Sequence, residues 1–339
     1  MPRRRPRPLS THSLRRPRSV TVLAGGVGAA RFLTGLTRLV DARRITVVGN
    51  TGDDEEFHGL HVAPDLDTVL YTLTGRADPV RGWGLRGDTT HALDALSALG
   101  APSWFRLGDR DLATHLLRTR WLRDGVPLSV VTHRLARAYG LRARLLPMTD
   151  DRVRTFVHTG AGRLAFQEYL VRHRARGRVR RIELSGAAAA RPAPGVLAAI
   201  RAAGAIVIAP SNPLVSVAPI LAVRGVRRAL ERRRAPAAAI SPLVGGRPLK
   251  GPLHRMLRGL GLEVSPRGVA RCYAGLVDVF VLDRRDAAWR GRIEALGMRA
   301  VVTDTVMRTP AHAARLAGDV LDALAGSGRA RLRSFSAPC

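Results

Sequence analysis

Short apolar runs recur at Val20 to Ala24, Ile45 to Val48, Ala205 to Ala209, Ala237 to Ile240, Val277 to Leu282 and Ala300 to Val302. Most are followed by helix-forming stretches. Runs of this length fit strands buried on both faces, and their alternation with helices predicts an α/β fold with a parallel sheet covered on both sides. From Ala29 to Val40, Phe32, Leu33, Leu36, Leu39 and Val40 gather on one side, as a helix packed on a sheet requires. Pro64 opens a second helix carrying Leu66, Val69, Leu70 and Leu73 on one face, proline being favoured at a first helical position. A helical insertion is predicted between Asp88 and Tyr139: a stripe of Leu93, Leu96 and Leu99 with Asp88 as its N-cap, then helices over Asp109 to Arg123 and Pro127 to Tyr139. Runs at Arg142 to Leu146, Arg152 to Thr159 and Leu164 to Leu170 are predicted to be strands of a smaller subdomain.

The composition narrows the class of partner. Fifty-six basic against 26 acidic residues give a net charge of +30, which alone would point to a polyanion such as nucleic acid. The basic residues are arginines spread along the chain, with Lys250 the one lysine, and no stripe interleaves them with base-stacking aromatics, so nucleic acid is disfavoured as the main partner. Cys272 and Cys339 have no partner pattern and suit a reducing, cytoplasmic setting. The longest uncharged window, 202–223, holds three prolines and Asn212, so a membrane span is not expected. The first 18 residues hold seven arginines among proline, serine and threonine and read as a disordered tail. Arg3-Arg4-Arg5 is not followed by the apolar segment of a twin-arginine signal. One large domain is expected over 19–330, with the insertion near 85–140 and a flexible tail over 331–339.

The candidate chemistry sits at the ends of the predicted strands. Gly25-Gly26-Val27-Gly28 lies between a strand and a helix, where free N–H groups and the helix dipole receive phosphates; a plain turn is the alternative. It is neither a Walker A loop nor a dinucleotide fingerprint. Asp53 and Asp54 follow Thr51-Gly52 at the end of the second strand and suit Mg²⁺ or a substrate hydroxyl, whereas Glu55 and Glu56 read as a solvated run. Asp65 and Asp67 fall on opposite sides of their helix, so both cannot serve one metal, and Asp65 is the better ligand candidate. Ser211 and Asn212 either cap a helix or bind a nucleotide. Gly245 to Gly251, with Arg247 and Lys250, suits a diphosphate. Gly82-Trp83-Gly84 and Gly108-Asp109-Arg110-Asp111 could bracket a planar aromatic ligand, and His58 and His61 lack a zinc-site context.

These pieces, taken in order, resemble one family, the 2-phospho-L-lactate transferases of coenzyme F-420 biosynthesis and their phosphoenolpyruvate-using actinobacterial relatives. The resemblance lies in VTVLAGGVGAARFLTGL around Thr21, GNTGDD ending at Asp54, GLHVAPDLDTVLYTL from Gly59, GWGLRGDT from Gly82, WFRLGDRDLATHL from Trp104, FQEYLV from Phe166, APSNPLVSVAPIL from Ala209 and SPLVGGRPLKGP from Ser241. It implies a Rossmann-like, mostly parallel sheet and a homodimer. It also implies transfer of a phospholactyl or phosphoenolpyruvyl group from a guanosine diphosphate-linked donor, supplied by a guanylyltransferase, to the terminal hydroxyl of the deazaflavin Fo, releasing GMP. By this resemblance Mg²⁺ binds near Asp53 and Asp65, while Asp53, Asp54 and Asp67 are the catalytic carboxylates, Asp54 or Asp67 orienting or deprotonating the hydroxyl. Gly25, Gly26, Gly28, Ser211, Asn212, Gly246 and Lys250 hold the donor nucleotide, and Trp83, Asp88 and Arg110 face the deazaflavin. Ala29-Ala30 stands where relatives often carry glycine or threonine, and Asp88 lies in a segment that differs between lactyl and enolpyruvyl users. The acid on the donor, whether lactate, enolpyruvate or glycerate, stays open. The competing expectation is a nucleotide-sugar-binding regulator of the gluconeogenesis-factor type, which shares the glycine loop and sheet.

Overall fold

The computed structural model describes residues 17–334. The predicted N-terminal tail therefore falls almost wholly outside the described residues, as do 335–339. Seven strands form one parallel sheet: β1 (Val20–Ala24), β2 (Ile45–Gly49), β3 (Arg144–Pro147), β4 (Ala205–Ile208), β5 (Ala237–Ile240), β6 (Val279–Asp283) and β7 (Arg299–Thr303). Their order is β7-β6-β5-β4-β1-β2-β3. The chain winds outward from β1 to one edge, then returns to the other side of β1 and winds outward again. Such a reversal opens a crevice at the carboxyl ends of the two central strands, here β1 and β4.

The strands read as unbroken apolar runs because both faces of the sheet are buried. Val20, Val22 and Ala24 of β1, with Val207 of β4 and Val279 and Val281 of β6, join the core on one face. Leu23, Ile206, Ile208, Phe280 and Leu282 join the core on the other. In register, Val22 lies between Val47 of β2 and Val207 of β4.

The first face is covered by α1 (Gly26–Leu36), α2 (Pro64–Leu73), α5 (Leu128–Ala138) and the C-terminal α6 (Pro310–Ser334). The insertion also contributes α3 (His91–Ala98) and α4 (Asp109–Arg123). The first helix begins at Gly26, three residues before the expected Ala29, because the glycine turn itself enters the helix. The last helix continues to Ser334, past the expected boundary at 330.

Two strand expectations are corrected. The run from Arg142 is not part of the subdomain: it forms β3, the edge strand beside β2, with Leu145 and Leu146 feeding the two cores. The subdomain sheet is Arg154–Thr159 flanked by antiparallel Gly162–Ala165 and Arg181–Ser185. The stretch to Leu170 leaves that sheet at Ala165 and coils into a helical turn, Glu168–Arg172, which buries Tyr169. Asp88 does not cap α3. Its two carboxylate oxygens accept the backbone N–H groups of Arg110 and Asp111 at the start of α4, while Asp109 accepts those of His91 and Ala92 at the start of α3. The two acids exchange caps, which ties α3 and α4 into one unit.

Helices α1 and α6 approach so closely at Gly35 that an added Cβ would lie 2.1 Å from the Ala313 carbonyl carbon. Gly35→Ala gains up to about 1 kcal/mol of helix propensity but forces two backbones apart, an overpacking cost of about 1–3 kcal/mol. Net destabilisation by about 1–2 kcal/mol is expected in urea unfolding, and a stabilised variant would contradict this packing.

Candidate functional site

A cavity of about 620 Å³ opens along the carboxyl ends of the sheet strands. On its floor, the turn after β1 meets the turn after β4: Ser211 Oγ accepts the Gly25 N–H (3.2 Å), and Gly28 comes so close that a Cβ there would lie 2.5 Å from the Pro210 carbonyl oxygen. Gly26 has φ +74°, the left-handed region that glycine tolerates. Gly25 and Gly28 therefore serve close approach and Gly26 the left-handed turn, and all three line the cavity at the start of α1. That helix begins with no acidic side chain in its first turn.

The loop after β2 brings the acids. Asn50, fully buried, donates through Nδ2 to Asp65 Oδ2 (2.9 Å) and accepts the Gly52 N–H on Oδ1 (2.8 Å), so it holds the Asp53 loop against the start of α2. Burial raises the Asp53 carboxyl well above the usual range, and the neighbouring Asp65 raises it further. Burial likewise lifts Asp65 to about 6, against hydrogen bonds from Asn50 and the Gly26 N–H. Two desolvated carboxylates thus repel each other, and Asp53 Oδ1 is a buried oxygen without a hydrogen-bond partner. Both line the cavity.

That donor set fits Mg²⁺, a hard cation held by one or two carboxylates with ligand phosphates and water completing its shell. Among the described residues no group of three or more His, Cys, Asp or Glu could hold a metal, so a wholly protein-built cage is not available.

Asp67 lies two residues beyond Asp65 but belongs to a different cluster, as the helical spacing predicts. Arg118 donates to both its oxygens, with Nη1 to Oδ2 at 2.9 Å and Nη2 to Oδ1. Arg118 is 2% exposed. Asp67 lines the cavity; Asp54 does not, its Oδ2 lying 3.1 Å from His61 Nε2 and its pKa raised by burial.

The opposite wall is apolar and aromatic. Trp104 and Phe105 line it, backed by Phe57, whose ring stacks on Phe105 with centroids 3.9 Å apart. Trp83 lines the cavity from a loop whose Gly82 would place a Cβ 2.7 Å from Val27 Cγ1, so that loop rests on the glycine turn. Lys250 completes the rim, its Nζ donating to the Arg81 carbonyl (3.2 Å).

The structure therefore brings Gly25, Gly26, Gly28, Asp53, Asp65, Asp67, Trp83, Ser211, Asn212 and Lys250 to one cavity. Asn212 also caps the helical turn Pro213–Val217 by accepting the Leu214 N–H. Four residues expected at the site stand outside the lining, the first being Asp54, which pairs with His61. Gly246 gives its N–H to Asp286, which holds the Lys250 loop; Asp88 caps α4; Arg110 reaches back to Asp88 and the Arg86 carbonyl. Asp111, from the run expected to bracket a planar ligand, also lines the cavity. Sequence pattern did not single out Trp104, Phe105, Tyr71, His115 or Arg118. The first two were legible as paired aromatics before a glycine turn; the others sit in helices whose inward face only packing reveals.

A parallel sheet wound about a switch point, with a glycine turn and a carboxylate pair on one side of its crevice and aromatic rings on the other, defines an α/β protein whose candidate site lies at the carboxyl ends of its central strands. The chain belongs to the 2-phospho-L-lactate transferase CofD family, which it matches over residues 20–316. It is 44% identical over 309 residues to the phosphoenolpyruvate transferase of Streptomyces griseus, covering 89% of this chain and 97% of that one. It is 37% identical over 302 residues to the 2-phospho-L-lactate transferase of Methanosarcina mazei, covering 89% and 99%. A solved structure of a UPF0052 family member from Bacillus halodurans shares the fold, with TM-score 0.61 over 90% of this chain and 99% of that one at 17% identity. The chain is thus placed with the transferases its motifs resemble. Among the described residues no helix is long and apolar enough to cross a membrane.

Proposed function

We propose that the protein catalyses the transfer step of coenzyme F-420 biosynthesis, moving a phospholactyl or phosphoenolpyruvyl group from a guanosine diphosphate-linked donor to the terminal hydroxyl of Fo. The observation that carries this reading is the meeting, in one cavity, of the glycine turn, the Asp53 and Asp65 pair and the aromatic wall of Trp104 and Phe105. The hydroxyl oxygen attacks the phosphorus next to the acid, the bond from that phosphorus to the bridging oxygen breaks, and GMP leaves. The N–H groups opening α1, with Lys250, bind the diphosphate; Ser211 and Asn212 hold the adjoining nucleotide; the aromatic wall stacks the deazaflavin. Asp53 and Asp65 would hold Mg²⁺, which supplies neutralisation of the diphosphate when bound. Of the two acids named for proton transfer, Asp67 lines the cavity and Asp54 does not, so we assign the hydroxyl proton to Asp67. Arg118 fixes that carboxylate in place, and such positioning supplies much of the acceleration in phosphoryl transfer.

The test incubates purified protein with Mg²⁺, Fo and each of the lactyl, enolpyruvyl and glyceryl guanosine diphosphate donors, with mass spectrometry for the phosphodiester and GMP. One donor is expected to give both products in equal amounts. A folded protein that turns over none of them, or that binds UDP-sugars but neither Fo nor guanosine nucleotides, overturns the reading.

A further inference from the structure

His115 is a buried histidine that the transfer chemistry described above leaves unused. It is 1% exposed, yet it lines the cavity. Its tautomer follows from its neighbour. Arg118 Nη1 lies 3.1 Å from His115 Nδ1, and a guanidinium only donates, so Nδ1 is the accepting nitrogen and a neutral ring carries its proton on Nε2. That Nε2 has no hydrogen-bond partner. It lies 3.3 Å from Asp111 Oδ1, where its N–H dipole favours the carboxylate's charge without the alignment that would satisfy the donor.

Asp111, one turn earlier on α4, also lines the cavity. Its Oδ1 accepts the Tyr71 hydroxyl at 2.6 Å. Burial works against its charge, but His115, Tyr71 and Arg118 outweigh burial and hold it below the usual carboxylate range. An ionised carboxylate and an N–H donor therefore stand side by side on the wall, and the donor is unsatisfied.

An alcohol is the group that satisfies both. Its oxygen accepts from Nε2–H while its own proton goes to a carboxylate lone pair. A carbonyl, an ether or a phosphate oxygen meets the donor but is repelled by the carboxylate, and an ammonium meets the carboxylate but not the donor. We propose that His115 and Asp111 form a hydroxyl-reading pair that binds the polyol chain of the acceptor and thereby selects a polyhydroxylated substrate over a heterocycle lacking that chain. Arg118 and Tyr71 are its positioning residues, the first fixing the imidazole tautomer and the second the carboxylate. This assignment rests on the transferase reading for the identity of the acceptor, and it adds which residues read the chain.

The test measures equilibrium binding by deazaflavin fluorescence for Fo and for the same heterocycle carrying a methyl group in place of the ribityl chain. Wild-type protein is expected to prefer Fo by at least about tenfold, the scale of hydrogen bonds to a charged group. His115→Leu is expected to lose at least about tenfold in Fo affinity with little change for the methyl compound, and His115→Gln, which can place an N–H near the same spot, to retain most of the preference. Equal binding of both compounds by wild-type protein, or a folded His115→Leu that keeps the preference, overturns the pair while leaving the transferase reading intact. If His115→Leu does not fold, the wild-type preference and its retention in His115→Gln decide the question. Binding of neither compound by wild-type protein overturns the transferase reading and the pair together.

Discussion

Arg118→Met is expected to destabilise the protein by about 3–5 kcal/mol, among the largest effects any single substitution here will produce. Arg118 is buried at the centre of α4, and Asp67, also buried, has both oxygens bound to it. Removing the cation leaves a desolvated carboxylate without its partner, and it releases His115 Nδ1 as well. The loss therefore reflects the stranded charge more than the worth of the pair. It follows that Asp67→Asn in the Arg118→Met background should recover much of the stability even though it removes a second native group. Urea unfolding of wild type and the two variants at neutral pH checks this. A double variant no more stable than Arg118→Met would show that the pair acts through packing of the guanidinium instead. Arg118→Lys keeps the charge but not the planar fork, and is expected to fall between wild type and Arg118→Met.

Asp53→Asn is expected to lower turnover by about 10²–10³-fold or more, since it removes half of the carboxylate pair that would face the transferred phosphoryl group. Its effect on folding has the opposite sign. Both acids of the pair titrate above their ordinary value in the folded state, Asp65 at about 6 against 3.8. A carboxylate with a raised pKa binds more protons folded than unfolded between those two values. Stability is therefore greatest below about pH 4 for this pair and declines as the pH climbs through the folded pKa. Every tenfold difference in proton affinity between the folded and unfolded chain is worth about 1.4 kcal/mol, so the shift of Asp65 from 3.8 to about 6 corresponds to a penalty on the order of 3 kcal/mol at neutral pH, to which Asp53 adds. Without divalent cations, Asp53→Asn should therefore be more stable than wild type at about pH 8, and the gap should close toward about pH 4. Unfolding in chelator across that range checks the sign. A variant less stable than wild type at the alkaline end, or a gap that does not vary with pH, would refute the repulsion. In wild type, added Mg²⁺ should raise the unfolding temperature, and in Asp53→Asn much less.

The two variants probe different layers of one cavity. The Asp53 pair is costly when empty and is placed where an anionic ligand and its cation would relieve it, a sacrifice of stability for function. The Arg118 guanidinium is engaged by Asp67 and His115 and holds those two side chains in place. That contrast gives the two sides of the cavity opposite responses to substitution: neutralising an acid stabilises one, and neutralising a charge disrupts the other.

Much of this was written in local pattern. The Val20 to Ala24 run, the glycines after it, the entry of α2 at Pro64 and the placement of Asn50 to Asp54 at a strand end follow from apolar content, turn chemistry and spacing. A run of apolar residues between breakers stays buried in almost any compact arrangement, so the strands and the loops at their ends are determined by sequence alone, as is the separation of Asp65 from Asp67 around their helix. The face that α4 turns inward is not. Its boundaries were legible, but it buries Asp111, His115 and Arg118 while Leu116 and Leu117 stand 56% and 44% exposed, the reverse of what hydrophobicity predicts. Burying those polar groups is unfavourable until Asp67, Tyr71 and the cap from Asp88 arrive from distant parts of the chain. The same holds for β3, whose short run reads equally well as a strand of either sheet until β2 presents an open edge to it. The sequence by itself determined the sheet, the glycine turn and the acid pair, because apolar burial and turn geometry act locally; only the tertiary structure decided the polar lining of α4, because each of its buried charges depends on a partner far away along the chain.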